Sequence, residues 1–159
     1  MQKITPFLWF DANAEEAAQF YTSIFKNSKI TNVSHYGDAG PRPAGTVLTV
    51  DFELDGQAFT GINGGPDFKF TEAISLLVNC ETQGEVDALW DALLADGGQE
   101  VQCGWLTDKY GLSWQIIPTQ LGEMLQDPDR DKANRVMTAM LQMKKIEVDA
   151  LKAAYDSTG

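Results

Sequence analysis

The sequence predicts an α+β protein made of two copies of one strand-helix-strands unit followed by a helical tail. Three observations predict it. An amphipathic helical stripe occurs twice at a fixed offset, an apolar run of strand length precedes each copy, and after Pro118 the pattern becomes wholly helical.

In the first copy Ala17, Phe20, Tyr21, Ile24 and Phe25 follow the i, i+3, i+4, i+7, i+8 spacing that lines one face of a helix. Val86, Leu89, Trp90, Leu93 and Leu94 repeat that spacing at an offset of sixty-nine residues. Thr82 and Glu85 stand before the second stripe as a capping box, and Asn13 and Glu16 hold the corresponding places before the first. The same offset sets residues 4–10 against 73–79, two apolar runs that read as strands.

Strands are expected next over 29–36, 45–54 and 57–63, the last two joined by a tight turn at Asp55-Gly56. In the second copy Gly97-Gly98 ends the helix, and strands are expected over 100–106 and 112–117, with 108–111 turning between them and room for a short third strand. Beyond Pro118 a short helix over 121–125 is reset by Pro128. Ala133, Val136, Met137, Met140 and Leu141 then make a further stripe, and Leu151, Ala154 and Tyr155 a shorter one. The expected organisation is two modules, 1–66 and 67–118, forming one domain, with 119–159 as a helical extension.

The chain has 159 residues, 43% apolar and 22% charged, ordinary proportions for a folded domain. A net charge of -11 repels nucleic-acid phosphates and anionic lipid, so neither is an expected partner. No apolar leader and no apolar run near the ~20 residues of a membrane span are visible, which points to the cytoplasm. Cys80 and Cys103 lack the spacing of a zinc site or disulfide framework and read as buried thiols. His35, the only histidine, reads as a surface residue or a base near neutral pH. No catalytic residue is singled out.

The run Asn63-Gly64-Gly65-Pro66-Asp67-Phe68-Lys69-Phe70, the run Ser75-Leu76-Leu77-Val78-Asn79-Cys80, and above all Cys103-Gly104-Trp105 through Ser113-Trp114-Gln115-Ile116-Ile117-Pro118 resemble one family. They are similar to the PhnB-like proteins, also labelled 3-demethylubiquinone-9 3-methyltransferase-domain proteins, a branch of the vicinal-oxygen-chelate superfamily. The opening Ile4-Thr5-Pro6-Phe7-Leu8-Trp9-Phe10-Asp11 fits as well. The resemblance implies the glyoxalase/bleomycin-resistance fold, with paired βαβββ modules forming a cupped mixed sheet around a cavity, assembled as a homodimer.

In catalytic members of that superfamily, four side chains from two strands of each module hold a divalent metal. Carried over, those positions fall at or next to Pro6, at Ala73 or Ser75, near Thr60 or Gly61, and at Gln115. Only Gln115 is a ligand of the usual kind, so neither a metal nor another cofactor is expected within one protomer. The methyltransferase label finds no support, since residues 4–10 pass through Asp11-Ala12-Asn13 straight into a helix without a glycine-rich loop.

Strand alternation, phased by the offset, sends Pro6 and Leu8, Ser75 and Leu77, and Ser113 and Gln115 to the cavity side, with Phe7, Trp9, Trp114 and Ile116 beneath the helices. Trp105 is placed either to stack on a flat ligand or to anchor the core. The expected function is binding or sequestering a small molecule, with an aromatic or cationic compound in view. An enzyme of the superfamily, metal-dependent or not, and a homodimeric assembly module are the alternatives.

Overall fold

The computed structural model describes residues 2–157; Met1, Thr158 and Gly159, the outermost residues of the expected spans, lie outside them. The chain forms two compact units that part between Phe70 and Thr71.

The first unit runs β1 (Phe7–Phe10), α1 (Ala14–Ile24), β2 (Lys29–His35), β3 (Val47–Leu54) and β4 (Gln57–Asn63). Its sheet has the order β1-β4-β3-β2, with β1 parallel to β4 and the other pairs antiparallel. Asp55 (φ 48°) and Gly56 (φ 79°) are both left-handed, as a two-residue hairpin turn requires. Helix α1 lays Ala14, Ala17, Ala18 and Tyr21 on the sheet, all fully buried. The Tyr21 ring meets Phe52 at 6.2 Å, and Phe52 stacks on its cross-strand partner Phe59 at 5.6 Å. Rings of this size dominate the burial term in a small core.

The second unit runs β5 (Ser75–Cys80), α2 (Gln83–Leu94), β6 (Gln99–Glu100), β7 (Trp105–Thr107), β8 (Ser113–Pro118), α3 (Thr119–Leu125), α4 (Arg130–Met140) and α5 (Val148–Asp156). Its sheet repeats the first in order, β5-β8-β7-β6, again with one parallel pair, β5 with β8. The continuous strand expected over 100–106 is broken: Cys103 (φ 59°) and Gly104 (φ 85°) turn the chain, and Val101 N–H donates to Trp105 O at 2.9 Å. The short third strand is therefore Gln99–Glu100, paired antiparallel with β7.

The capping expectations hold in part. Thr82 Oγ1 accepts from Glu85 N–H at 3.2 Å, while the Glu85 carboxylate accepts from Glu81 N–H at 3.1 Å, one residue earlier than a strict box. Asn13 makes no side-chain cap on α1. Asn63, at the end of β4, does that work: its Oδ1 accepts from Ala14 N–H at 2.8 Å.

The helical tail closes on the second unit. Leu121, Val136, Ile146 and Leu151 form a buried cluster joined by Ile117, Met124, Met140 and Met143. Gln83 ties α2 to it, donating to Ile146 O and accepting from Val148 N–H. Lys145 Nζ lies 2.8 Å from Asp87 Oδ1, a pairing that, with the Gln83 bond, holds the Asp87 carboxyl below its usual range. Part of the α4 stripe stays outside: Met137 and Leu141 are exposed.

Candidate functional site

The register of each sheet decides which side chains share a face. In the second sheet Trp114, Ile116, Leu106 and Cys80 are buried beneath α2, with Val86, Trp90 and Leu93 above them. Their sequence neighbours point the other way. On that second face Ser75 is paired with Ser113, Leu77 with Gln115, Trp105 with Gln115 and Thr107 with Ser113. Gln115 Nε2 donates to Ser75 Oγ at 2.8 Å, which fixes the two side chains together. Ser75, Leu77, Ser113 and Gln115 thus share one face, as the alternation predicts, and Trp105 stands on it at the register position opposite Gln115. Leu77 is 50% exposed, whereas Ser113 is fully buried and its Oγ has no hydrogen-bond partner.

In the first sheet the expected phase is reversed. Leu8 (8% exposed) and Phe10 (3%) lie beneath α1, while Phe7 is 61% exposed. Gly61, the register partner of Leu8, faces the Phe10 ring and the Ala14 methyl, which marks that side as the helix side. Leu8 is therefore a core residue, Pro6 falls in phase with it, and Phe7 and Trp9 take the opposite face. The reason is one residue of connection. Three residues separate β1 from α1, but only Glu81 and Thr82 separate β5 from α2. An offset of sixty-nine fits the helices, whereas the strands match at seventy, and a one-residue slip exchanges the faces of a strand.

With the phase corrected, Thr60 holds in the first sheet the register position that Gln115 holds in the second, opposite Phe7 as Gln115 is opposite Leu77. Its hydroxyl donates to Asp51 Oδ1 at 2.8 Å. On the same face Ser34 Oγ and Thr49 Oγ1 are hydrogen-bonded at 2.5 Å. Of this polar row only Thr60 figured among the sequence candidates, as a carried-over ligand position; Ser34, Thr49 and Asp51 did not. The alternation in Thr49-Val50-Asp51-Phe52-Glu53-Leu54 was its signal, since Val50, Phe52 and Leu54 are all buried.

Two of the positions that the resemblance assigns to metal ligands are engaged with neighbouring side chains. Thr60 bonds to Asp51, Gln115 turns its amide nitrogen to Ser75, and His35 is exposed on the edge strand β2, two strands away from Thr60. Among the described residues no three His, Cys, Asp or Glu side chains gather. Burial and the neighbouring Glu85 carboxylate push the Cys80 thiol up to about 12, which disfavours its thiolate.

The runs that carry the family resemblance hold backbone. Asn63 caps α1, donates to Val47 O at 3.1 Å and accepts the Tyr36 hydroxyl on its carbonyl at 2.6 Å. Gly64 sits against the Trp9 indole, where a Cβ would come within 2.4 Å, and Trp9 Nε1 donates to Gly65 O. Buried Asp108 accepts from Tyr110 N–H, Leu112 N–H and Trp114 Nε1–H, which fixes the turn into β8.

Two βαβββ units with this strand order and their helices define a protein of the glyoxalase/bleomycin-resistance fold. The fosfomycin resistance protein FosX from Listeria monocytogenes shares that fold at 15% identity and a TM-score of 0.50, over 74% of this chain and 93% of its own. Residues 2–117 match the model of the 3-demethylubiquinone-9 3-methyltransferase family, and the chain belongs to that family. The PhnB protein from Bacillus cereus is 43% identical, with a TM-score of 0.67, over 74% of this chain and 99% of its own. Protein PA1353 from Pseudomonas aeruginosa is similar in fold at 22% identity and a TM-score of 0.60, over 74% of this chain and 98% of its own. No curated protein matches. The family match ends where α3 begins, so the three tail helices lie beyond it. Among the described residues no helix is long and apolar enough to cross a membrane.

Proposed function

We infer that the protein binds a small molecule on the face of the second sheet turned away from α2, without the metal of its superfamily. The observation that carries this reading is the Gln115–Ser75 hydrogen bond set between the half-exposed Leu77 and the Trp105 register position. A few fixed polar groups among apolar ones are the usual make-up of a small-molecule site. Among the described strand positions of that face there is no His, Cys, Asp, Glu, Lys or Arg, which favours binding over proton transfer. Phe7, rather than Leu8, is the residue of the first sheet equivalent to Leu77.

The protein works as a homodimer in the cytoplasm on this reading. Exposed Ile4 and Phe7 at one edge strand, and Ile74 and Leu77 at the other, supply apolar surface for self-association, and both cysteines are free thiols. A broad thermal-shift screen tests the binding role. Some compound raises the melting temperature of the wild type and fails to raise that of Gln115→Ala. A screen in which every stabilising compound acts equally on both proteins overturns it, and native mass spectrometry finding one metal per chain overturns the metal-free part.

A further inference from the structure

We propose that the ligand of this face is an uncharged, flat ring compound carrying a carbonyl or amide group. The inference rests on the binding reading above and adds the chemical class. The chain has 12 basic and 23 acidic residues. None stands on the face away from α2 among the strand positions of the second sheet: beyond the residues of the site, register puts only Asn79, Thr107, Ile117 and Gln99 there, and Glu100 lies on the α2 side with its partner Leu106. The first sheet differs, with Asp51 and Glu53 on its corresponding face. A charged ligand on the second face would lose water and meet no counter-charge on the strands, which costs far more than desolvating a neutral polar group.

What the face offers is neutral hydrogen bonding beside an indole. Gln115 gives its amide N–H to Ser75 and keeps its Oε1 for a donor. Ser113 Oγ is buried without a partner, next to Ser75 across the parallel pair and to Thr107 across the antiparallel one. A buried hydroxyl left unpaired is unfavourable and needs an explanation, and a ligand carbonyl or amide supplies the missing partner. Trp105, opposite Gln115, supplies a flat surface for a ring. The overall acidity of the chain, which would favour cations, is carried elsewhere than on this face.

Three probes of one ring and size separate charge from shape: benzamide, benzoate and benzamidinium at pH 7. Each is titrated into the full chain while the Trp105 indole and Gln115 amide signals are followed by ¹⁵N NMR, assigned with Trp105→Phe and Gln115→Ala. Benzamide moves both signals, and the two ions bind at least about tenfold more weakly. Ser113→Ala weakens benzamide about fivefold and raises the melting temperature of the ligand-free protein, a combination that a purely structural serine would not give. Benzamidinium or benzoate moving those signals as strongly as benzamide overturns the proposed class. If none of the three moves them while another compound stabilises the wild type through Gln115, the class is overturned and the site stands. If no compound acts through Gln115, the site reading fails with it.

Discussion

Thr60 and Gln115 occupy one and the same register position in two successive copies of a sheet, yet each bonds to a different neighbour, Thr60 to Asp51 and Gln115 to Ser75. The frame is duplicated and the chemistry is not. Each bond is partly buried, so Thr60→Ala and Gln115→Ala should each cost about 1 kcal/mol, read as a fall of about 2–4 °C in melting temperature by calorimetry. Only the second should abolish ligand binding. A Gln115→Ala protein that no longer folds would make the residue structural.

Asn63 should be the costlier polar residue to lose. Its side chain caps α1 through Ala14 N–H and reaches Val47 O, and it is 5% exposed. Asn63→Ala leaves a buried helix N–H and a strand carbonyl without partners and should cost about 2–4 kcal/mol in a urea melt. Asn13→Ala, at the formal cap without a side-chain bond, should cost under about 0.5 kcal/mol.

Gly104 is a place where no side chain fits. Its φ is +85°, and a Cβ would come within 2.8 Å of Ile117 Cδ1 and 3.0 Å of Ile146 Cγ1. Gly104→Ala should destabilise the second unit by about 2 kcal/mol or more. Gly97 is also left-handed at +120° but has nothing within 4 Å, so Gly97→Ala should show the backbone cost alone, about 1 kcal/mol. Parallel denaturant melts of the two variants separate strain from collision.

The two thiols should behave differently. Cys80 is buried with its thiol pushed up to about 12, whereas Cys103 sits half-buried in the β6–β7 turn. A disulfide reagent at pH 8 should label Cys103 in the native protein and Cys80 only after denaturant is added. Equal labelling rates in the native state would contradict the burial of Cys80.

The docking of the tail should have an acidic and an alkaline limit. Hydrogen bonds from the Tyr155 hydroxyl and Asp129 N–H hold Asp127 below its ordinary 3.8, and Lys145 and Gln83 do the same for Asp87. A carboxyl with a depressed folded value contributes stability above its unfolded value, and that contribution disappears as pH falls through the folded value. Tyr155 is raised above 10.0 by its bond to Asp127, and Lys145 above 10.5 by Asp87, so their contributions are complete below those values and fade at higher pH. Tail protection in hydrogen exchange should therefore be flat between about pH 4 and pH 10 and weaken outside it. Tyr155→Phe should lower the plateau and remove the share of both declines that the Tyr155–Asp127 bond contributes, and leave the folded core of the first unit unchanged.

The helices and their repetition were legible because a 3.6-residue period survives over three turns and the two stripes match position for position. Strand phase was legible only where polar residues mark it. Ser75, Asn79, Ser113 and Gln115 mark the second sheet, but Phe7-Leu8-Trp9-Phe10 is apolar throughout and carries no alternation of its own. Borrowing the phase from the second copy inverted it, because the connection into α1 is one residue longer. The role of Asn63 was hidden for a different reason: an Asn-Gly-Gly run signals a turn locally, while the helix end it caps lies 49 residues away in sequence.

Cys103 and Gly104 give their backbone N–H groups to Met143 O at 2.8 Å and Lys144 O at 2.7 Å, so the hairpin of the second sheet is finished by a segment made long after it. During synthesis β5 to β8 leave the ribosome before that segment does, and those two amides face water or a chaperone until it arrives. The segment between α4 and α5 is therefore the last piece needed to close the bend. A ribosome that stalls before residue 143 yields a sheet with its bend unlocked, a natural substrate for the cell's quality control.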